Sequence, residues 1–390
     1  MHLVGWSMGV VSITKRAGLA LVIAAAGASA AAPAAAQDAP RAVLLSSEPL
    51  PGAPEGASAH HIRYRSVGVN GAANEVTGVV ILPDGPAPKE GRDVVAWAHG
   101  TSGVAKGCAL SQSPALFGSI AGLRQLLAKG YAVVATDYAG LGTPGPHPYL
   151  AGDVSAYAIL DSVRAAQEYG RGSISRRVVF WGESQGGHAS LWAAQLAGRY
   201  APELQVAGVA AAAPPTDLKA NLTGGTNPLV RALMTAFTAA SWSQAYDVPL
   251  STVLGPVGQD VARRLARNCI TLDPFSLRTK IGLVRFARAL EKVDVSKSPP
   301  WAELLRRHSV QPAGLSVPTF IAQGSADPIV APSVTRRFVQ QLCRSRTVPV
   351  RYYQIEGGDH ITVAKRSADA TIRWFADRFA GKAAPDDCRP

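Results

Sequence analysis

The feature that most constrains this fold is a serine between two glycines, at the junction of a predicted strand and a predicted helix. Apolar residues 178–181 predict a buried strand, Gly182, Ser184 and Gly186 follow in G-x-S-x-G spacing, and residues 185–200 have a helical pattern. A serine held between strand and helix needs a sharp turn, in which side chains at both glycine positions would collide with backbone. The turn exposes the hydroxyl at the sheet edge and at a helix N-terminus, so it predicts a nucleophile.

Strand and helix patterns alternate along most of the chain. Residues 61–67 and 75–82 are predicted to pair as antiparallel strands across a turn at Asn70 and Gly71. Further strands are predicted at Val94–Ala98, Tyr131–Thr136, Val178–Trp181, Val206–Ala213, Pro318–Gln323 and Val350–Ile355. Helices are predicted at Pro114–Lys129, Asp153–Tyr169, Gln185–Tyr200, Pro332–Leu342 and Thr362–Phe379. Continuously apolar strands separated by helices predict an α/β fold with a mostly parallel sheet covered on both faces.

The alternation stops over residues 217–313, where helical patterns run without a strand signal. From Ala220 to Tyr246 the single charged residue is Arg231. An ordinary buried helical subdomain is one interpretation. We favour a cap whose apolar underside faces a substrate cleft, because loops over the carboxyl ends of such strands form sites. The predicted organisation is a first part of the core at 37–216, beginning with a mobile lead-in over 37–60, a helical cap or lid at 217–313, and a second part at 314–390.

A serine hydroxyl needs a base that takes its proton, and the base needs an acid that orients it. Asp327 follows the predicted strand 318–323, and His360 follows the next strand, 350–355. Both therefore lie where the sites of such sheets collect, and the chain order serine, acid, histidine fits a nucleophile on a strand–turn–helix. We predict a catalytic triad of Ser184, Asp327 and His360.

Other acids and histidines are weighed against this triad. Asp217, which follows the strand 206–213, is the alternative acid, whereas Asp359 adjoins His360 and is expected to serve the turn. His188 lies four residues after the serine on the same helix face, so packing is its expected role. Four further histidines are in turn-like, unplaced or cap contexts: His60, His61, His147 and His308.

Two backbone N–H groups are expected to stabilise an oxyanion. One belongs to Gln185, the residue after the nucleophile, and the other to Thr101, in the loop after the strand 94–98, with the threonine hydroxyl as a further donor. His99 is expected to be a structural hydrogen-bonding residue of the same loop. The glycine-rich segment 137–145 predicts a shaped turn at the strand edges and stays outside the predicted catalytic set.

The N-terminus has the pattern of a cleavable export signal. Residues 1–36 contain Lys15 and Arg16, an apolar run at 17–26, and small residues ending in Ala34-Ala35-Ala36. The apolar run is too short for a membrane span. We expect a secreted or periplasmic protein, with the cleavage position left open by a second A-x-A sequence at 28–30.

The net charge of +12 invites a comparison with nucleic-acid-binding proteins. The cations are scattered, without a run of five or more, without zinc-finger spacing and without interleaved aromatic residues. We therefore expect no nucleic-acid partner.

Four cysteines follow the predicted signal: Cys108, Cys269, Cys343 and Cys388. An even number in an oxidising compartment predicts two disulfides, and the absence of C-x-x-C spacing argues against metal and redox roles. Three connectivities are possible. The shorter separation favours Cys343–Cys388, which would fix the C-terminal tail and leave Cys108–Cys269.

Six stretches together resemble the secretory lipase family, the fungal lipase A type and its bacterial relatives, within the α/β-hydrolases. They are WAHGTSG at 97–103, DYAGLGTPG at 137–145, GESQGG at 182–187, AAPPTDL at 212–218, GSADPIV at 324–330 and GGDHITV at 357–363. The serine motif and the triad order are generic to α/β-hydrolases, whereas the second and fourth stretches are more specific. The similarity of organisation runs over most of the chain after residue 36.

The resemblance implies an α/β-hydrolase that cleaves acylglycerols or simpler carboxylic esters, without a metal or cofactor, and that carries a helical lid before the acid. It also implies first-to-second and third-to-fourth cysteine pairing. The expected partner is a small-molecule ester or lipid, with no transmembrane segment; transient contact with a lipid interface and the oligomeric state stay open. Two alternatives remain: a serine peptidase of the prolyl-oligopeptidase type, and a non-catalytic binding protein on the same fold.

Overall fold

Nine strands form one sheet in the computed structural model, which describes residues 44–224, 227–270, 283–288 and 295–388. The strands are β1 Leu44–Pro49, β2 Ala57–Val67, β3 Ala73–Pro83, β4 Arg92–Ala98, β5 Ala132–Thr136, β6 Ile174–Glu183, β7 Gln205–Ala212, β8 Thr319–Gly324 and β9 Val350–Ile355. Their spatial order is β1-β2-β3-β5-β4-β6-β7-β8-β9. The six strands from β4 to β9 are parallel to their neighbours among themselves, so the predicted mostly parallel sheet is confirmed.

The antiparallel pair predicted at the start of the core is present as β2 and β3, in register from Ala57 opposite Pro83 to Val67 opposite Ala73. The prediction of a mobile lead-in over 37–60 was wrong from Leu44 onward, because β1 pairs with β2 in antiparallel fashion and extends the sheet. The six residues of β1, Leu-Leu-Ser-Ser-Glu-Pro, carry a weak alternation signal, and pairing with β2 orders this strand.

Helices cover both faces of the sheet, as predicted. Their bounds are α1 Leu116–Ser119, α2 Leu123–Ala128, α3 Gly152–Gly170, α4 Gln185–Tyr200, α5 Leu218–Gly224, α6 Pro228–Ala245, α7 Pro256–Leu265, α8 Trp301–His308, α9 Pro332–Ser345 and α10 Val363–Phe379. Side chains of α3, α4 and α9 share one apolar core, and those of α1, α2 and α10 share another. Alternate residues of the central strands supply the two cores, which is the period of two of a sheet buried on both faces. The single helix predicted at 114–129 is wrong, because Gly122 adopts φ 63° and divides it into α1 and α2.

The described residues between β7 and β8 form no strand and contain the helices α5 to α8 and a helical segment at 283–288. They have an apolar core of their own, which includes Phe237, Trp242, Phe286 and Trp301. Tyr149 and Leu150, which follow β5 in the chain, also belong to this core. The insertion therefore packs on the segment that leads from β5 to α3.

Two disulfides join Cys108 to Cys269 and Cys343 to Cys388, which confirms the predicted pairing. The first disulfide links the loop after β4 to the segment after α7, across 161 residues of sequence. The second links α9 to the C-terminal tail, across 45 residues. No helix within the described residues is long and apolar enough to cross a membrane. The predicted export signal at 1–36 lies outside the described residues.

Candidate active site

Ser184 joins β6 to α4 in a strained turn. Its backbone has φ 51° and ψ −118°, a conformation that an L-residue adopts at a cost of about 1–3 kcal/mol. A Cβ atom at Gly182 would lie 2.3 Å from the carbonyl oxygen of Gly186, and one at Gly186 would lie 1.8 Å from that of Ala98. Both positions therefore require glycine, as the motif predicts. The turn leaves the serine at the carboxyl end of β6, in front of the first backbone N–H groups of α4.

An aspartate and a histidine meet at the same edge of the sheet, after β8 and β9. The Nδ1 atom of His360 lies 2.8 Å from Oδ2 of Asp327, and both side chains are buried. An ionised carboxylate can only accept, so Nδ1 carries the proton and donates it in this bond. The other ring nitrogen, Nε2, is then the basic one.

Four N–H groups hold the carboxylate of Asp327. Its Oδ1 accepts hydrogen bonds from the backbone N–H groups of Ile329 and Val330 at 2.8 and 2.9 Å. Its Oδ2 accepts from the side-chain amide of Gln323 at 3.0 Å, in addition to His360. Donors on both oxygens fix the plane in which the carboxylate faces the imidazole.

The loops that carry this pair are in direct contact. A Cβ atom at Gly324 would lie 2.2 Å from the carbonyl oxygen of Gly358, so the end of β8 can approach the loop after β9 because it has no side chain. The backbone N–H of Ala326 donates to the same carbonyl at 3.0 Å, and that of Ser325 donates to Ile355 at 3.0 Å. These bonds set the distance between the two loops, and with it the contact between acid and histidine.

The rival residues have other partners. Asp217 is exposed and accepts a hydrogen bond from the backbone N–H of Ala220 at the start of α5. Asp359 accepts hydrogen bonds from the hydroxyl and the backbone N–H of Thr362, which lower the pKa of its carboxyl. His188 is buried and its Nε2 lies 2.7 Å from the carbonyl oxygen of His308, which agrees with a packing role.

The two residues expected at the oxyanion lie on neighbouring elements, Gln185 directly after the serine and Thr101 after the adjacent strand β4. Gln185 is the first residue of α4, so its backbone N–H has no partner four residues back within the helix. Thr101 lies in the loop after β4. The last residue of β4, Ala98, pairs with Gly182 of β6. The hydroxyl of Thr101 lies 2.8 Å from that of Tyr149, which in turn donates to the sulfur of Met234. The threonine hydroxyl proton is therefore directed to Tyr149, and the backbone N–H is the donor that Thr101 can offer.

Glu183, immediately before the serine, is the charged residue of the elbow. Burial raises the pKa of its carboxyl to about 7, and attraction to His360 and Lys365 acts in the opposite direction. His360 and Lys365 are therefore the positive groups that act on this carboxyl. Gly100 lies against this carboxyl, with a Cβ atom there 3.4 Å from Oε1.

Sequence reasoning missed three residues that hold the site together. Gln323 supports Asp327, and its signal is visible afterwards as a polar residue in an otherwise apolar strand. His147 lies 3.0 Å from the side chain of Gln185, and Tyr149 bonds to Thr101. Nothing in the sequence pattern distinguishes these two residues from the rest of a glycine- and proline-rich turn.

The sheet order, the strained serine after a central parallel strand and the aspartate–histidine contact after the following strands define an α/β-hydrolase. The model of the family described as "Secretory lipase" matches residues 119–387, which is most of the chain. The chain belongs to the secretory lipase family, a family of carboxylic ester hydrolases.

Individual relatives agree with this assignment. A Mycobacterium tuberculosis protein named as a probable inactive lipase is 26% identical over 349 residues, covering 85% of this chain and 76% of the relative. Lipase 9 of Candida albicans is 28% identical over 281 residues, covering 68% of this chain but 60% of the relative. Candida antarctica lipase A, solved in its closed state, superposes with a TM-score of 0.72 at 21% identity, over 89% of this chain and 84% of that one. The last comparison concerns the fold.

Proposed function

We propose that this protein is an exported ester hydrolase that works through an acyl-enzyme on Ser184. Its substrates are acylglycerols or simpler carboxylic esters. The proposal is supported most by the contact between His360 and Asp327, because it leaves a basic imidazole nitrogen at the same edge of the sheet as the strained, half-buried Ser184. Export is proposed from the signal-like residues 1–36 and agrees with the family's description as secretory.

In the first step His360 removes the proton of Ser184 through Nε2, and the serine oxygen attacks the ester carbonyl carbon. The imidazolium that forms is stabilised by Asp327, and the carbonyl oxygen becomes an oxyanion held by the backbone N–H groups of Thr101 and Gln185. His360 then gives its proton to the leaving alcohol, and the acyl group remains on the serine.

In the second step a water molecule takes the place of the alcohol. His360 removes its proton, the hydroxide oxygen attacks the acyl carbon, and a second oxyanion forms at the same donors. Collapse releases the carboxylic acid and returns the proton to Ser184. The donors are fixed by backbone before the substrate arrives, so no reorganisation is required when the negative charge develops.

The central experiment replaces Ser184 by alanine in the full chain and follows hydrolysis of p-nitrophenyl butyrate. We expect loss of turnover by at least about three orders of magnitude with an unchanged melting temperature, since the nucleophile is removed and the fold is not. Asp327→Asn should lose most of the activity while remaining folded. Activity of Ser184→Ala equal to that of the unmodified protein would overturn the assignment.

The relative named as inactive makes a non-catalytic protein the alternative that needs a direct test. An ester panel from acetate to long-chain triacylglycerol, measured below and above substrate solubility, separates the outcomes. Saturation on short, soluble esters indicates a carboxylesterase, and a rate increase at the interface indicates a lipase. No turnover on any ester, together with turnover of a peptide amide, would replace the proposal with the peptidase.

A further inference from the structure

The two proposed oxyanion donors are held through their side chains by one short segment. The side-chain nitrogen of Gln185 lies 3.0 Å from Nε2 of His147, and the hydroxyl of Thr101 lies 2.8 Å from that of Tyr149. Gln185 is on α4 and Thr101 is in the loop after β4, so the two residues are far apart in the sequence. Residues 147–149 therefore contact the side chains of both proposed donors.

The protonation state of His147 follows from its partners. Its Nδ1 lies 2.8 Å from the carbonyl oxygen of Ala139, so Nδ1 donates, and Nε2 is left as an acceptor for the amide of Gln185. Burial lowers the pKa of this imidazole to about 4, which keeps it neutral over the usual working range. A neutral, buried acceptor fixes the amide in one orientation, and with it the first turn of α4.

Residues 147–149 also form hydrogen bonds with the inserted helix α6. The hydroxyl of Ser241 donates to the carbonyl oxygen of His147 at 2.5 Å and accepts from the backbone N–H of Tyr149 at 2.8 Å. The indole of Trp242 donates to the carbonyl oxygen of Tyr149 at 2.7 Å, and the tyrosine hydroxyl donates to the sulfur of Met234 at 3.2 Å. All of these groups are buried or nearly so. The backbone of 147–149 cannot shift without breaking bonds to α6.

We infer that His147 and Tyr149 are positioning residues for the oxyanion site, and that they make its geometry depend on the docking of α6. The inference rests on the proposed function. Both contacts join neutral groups, and the one between Gln185 and His147 is buried while the one between Thr101 and Tyr149 is partly buried. The loss of either bond leaves its partner group without that hydrogen bond and free to rotate. The glycine-rich turn at 137–145 then has a role, because it leads directly into residues 147–149 and sets their position at the site.

The first test is Tyr149→Phe, which removes a single oxygen. We expect kcat for p-nitrophenyl butyrate to fall by about three- to tenfold with KM within twofold, because a donor acting mainly in the transition state is misplaced. Inhibition by a boronic acid, whose tetrahedral adduct on Ser184 mimics the intermediate, should weaken by a similar factor. The matched control is Tyr246→Phe, which removes a hydroxyl bonded to His308 within the insertion and should leave kcat unchanged.

The second test compares two replacements of His147. His147→Gln retains an acceptor and a donor and should stay within about threefold of the unmodified kcat, whereas His147→Leu should lose about ten- to a hundredfold. Melting temperatures identify any variant that fails to fold. If a His147 variant does not fold, the result for Tyr149→Phe alone decides whether the inference stands.

Unchanged kcat and unchanged boronate inhibition in Tyr149→Phe would overturn the inference, as would equal kcat in folded His147→Leu and His147→Gln. Failure of the proposed function looks different. In that case the unmodified protein turns over no ester, and Ser184→Ala is indistinguishable from it.

Discussion

Glu183 offers the sharpest pH prediction of any single residue. Above its pKa of about 7 the carboxylate attracts the imidazolium that His360 becomes in the transition state, and below it the carboxyl is neutral. Glu183→Gln keeps the shape and removes the charge. We expect kcat/KM to match the unmodified protein near pH 5.5 and to fall about three- to tenfold below it near pH 8.5, an effect of about 1 kcal/mol.

Paired pH profiles of kcat/KM test this, with Glu303→Gln as the control because Glu303 is an exposed partner of Arg306. A ratio of the two profiles that stays constant from pH 5.5 to 8.5 would contradict the electrostatic role.

At the scale of residues, the sequence predicts those whose chemistry has a motif. The elbow serine, the aspartate after one strand and the histidine after the next are recognisable because strand order brings them to one edge, and their catalytic role remains a proposal. Gln323, His147 and Tyr149 are not recognisable, since they act through hydrogen bonds to residues 4 to 48 positions away. No local pattern specifies such partners.

At the scale of elements, the Cys108–Cys269 disulfide ties the insertion to the loop that carries Thr101. The backbone N–H of Ile270 also donates to the carbonyl oxygen of Ser102 at 2.7 Å. We expect the double replacement of these cysteines by serine to lower the free energy of unfolding by about 2–4 kcal/mol and to lower kcat as well.

The control is the double serine replacement of Cys343 and Cys388. Their disulfide closes a shorter loop and fixes the C-terminal tail. It should cost less stability and leave kcat near that of the unmodified protein. Thermal melts and kcat for both variants test the pair. Equal effects of the two replacements on kcat would contradict a specific link between the insertion and the oxyanion loop.

Elements were predictable where their apolar pattern is regular. Helix α4 and strand β9 have the predicted bounds, and the other central strands differ by a few residues at their ends. The errors fall where the pattern is weak: β1 depends on pairing with β2, and the division between α1 and α2 depends on the backbone of Gly122.

At the scale of the whole molecule, buried histidines predict acid sensitivity. Burial lowers the pKa of His147, His188 and His308 to about 4 each, so between pH 6.5 and 4 the unfolded chain binds protons that the folded one does not. Stability therefore falls as the pH falls through this window, by about 1.4 kcal/mol per pH unit for each histidine. The buried carboxyls of Asp161 and Glu183, with pKa values raised to about 6 and 7, act in the opposite direction above about pH 4.5.

We expect the free energy of unfolding to fall gently from pH 6 to 4.5 and more steeply below it. Denaturant melts at half-unit pH intervals test this, and His308→Gln should reduce the slope by about 1.4 kcal/mol per pH unit. A stability that is flat from pH 6 to 4 would contradict the buried neutral histidines.

The proposed mechanism requires the elbow serine to be an activated nucleophile. Labelling of the folded protein by a fluorophosphonate, followed by mass spectrometry of the modified peptide, tests this requirement. We expect one phosphonate, on Ser184, and strongly reduced labelling in His360→Ala. A folded protein that takes up no label, or takes it up at another residue at the same rate in Ser184→Ala, would contradict it.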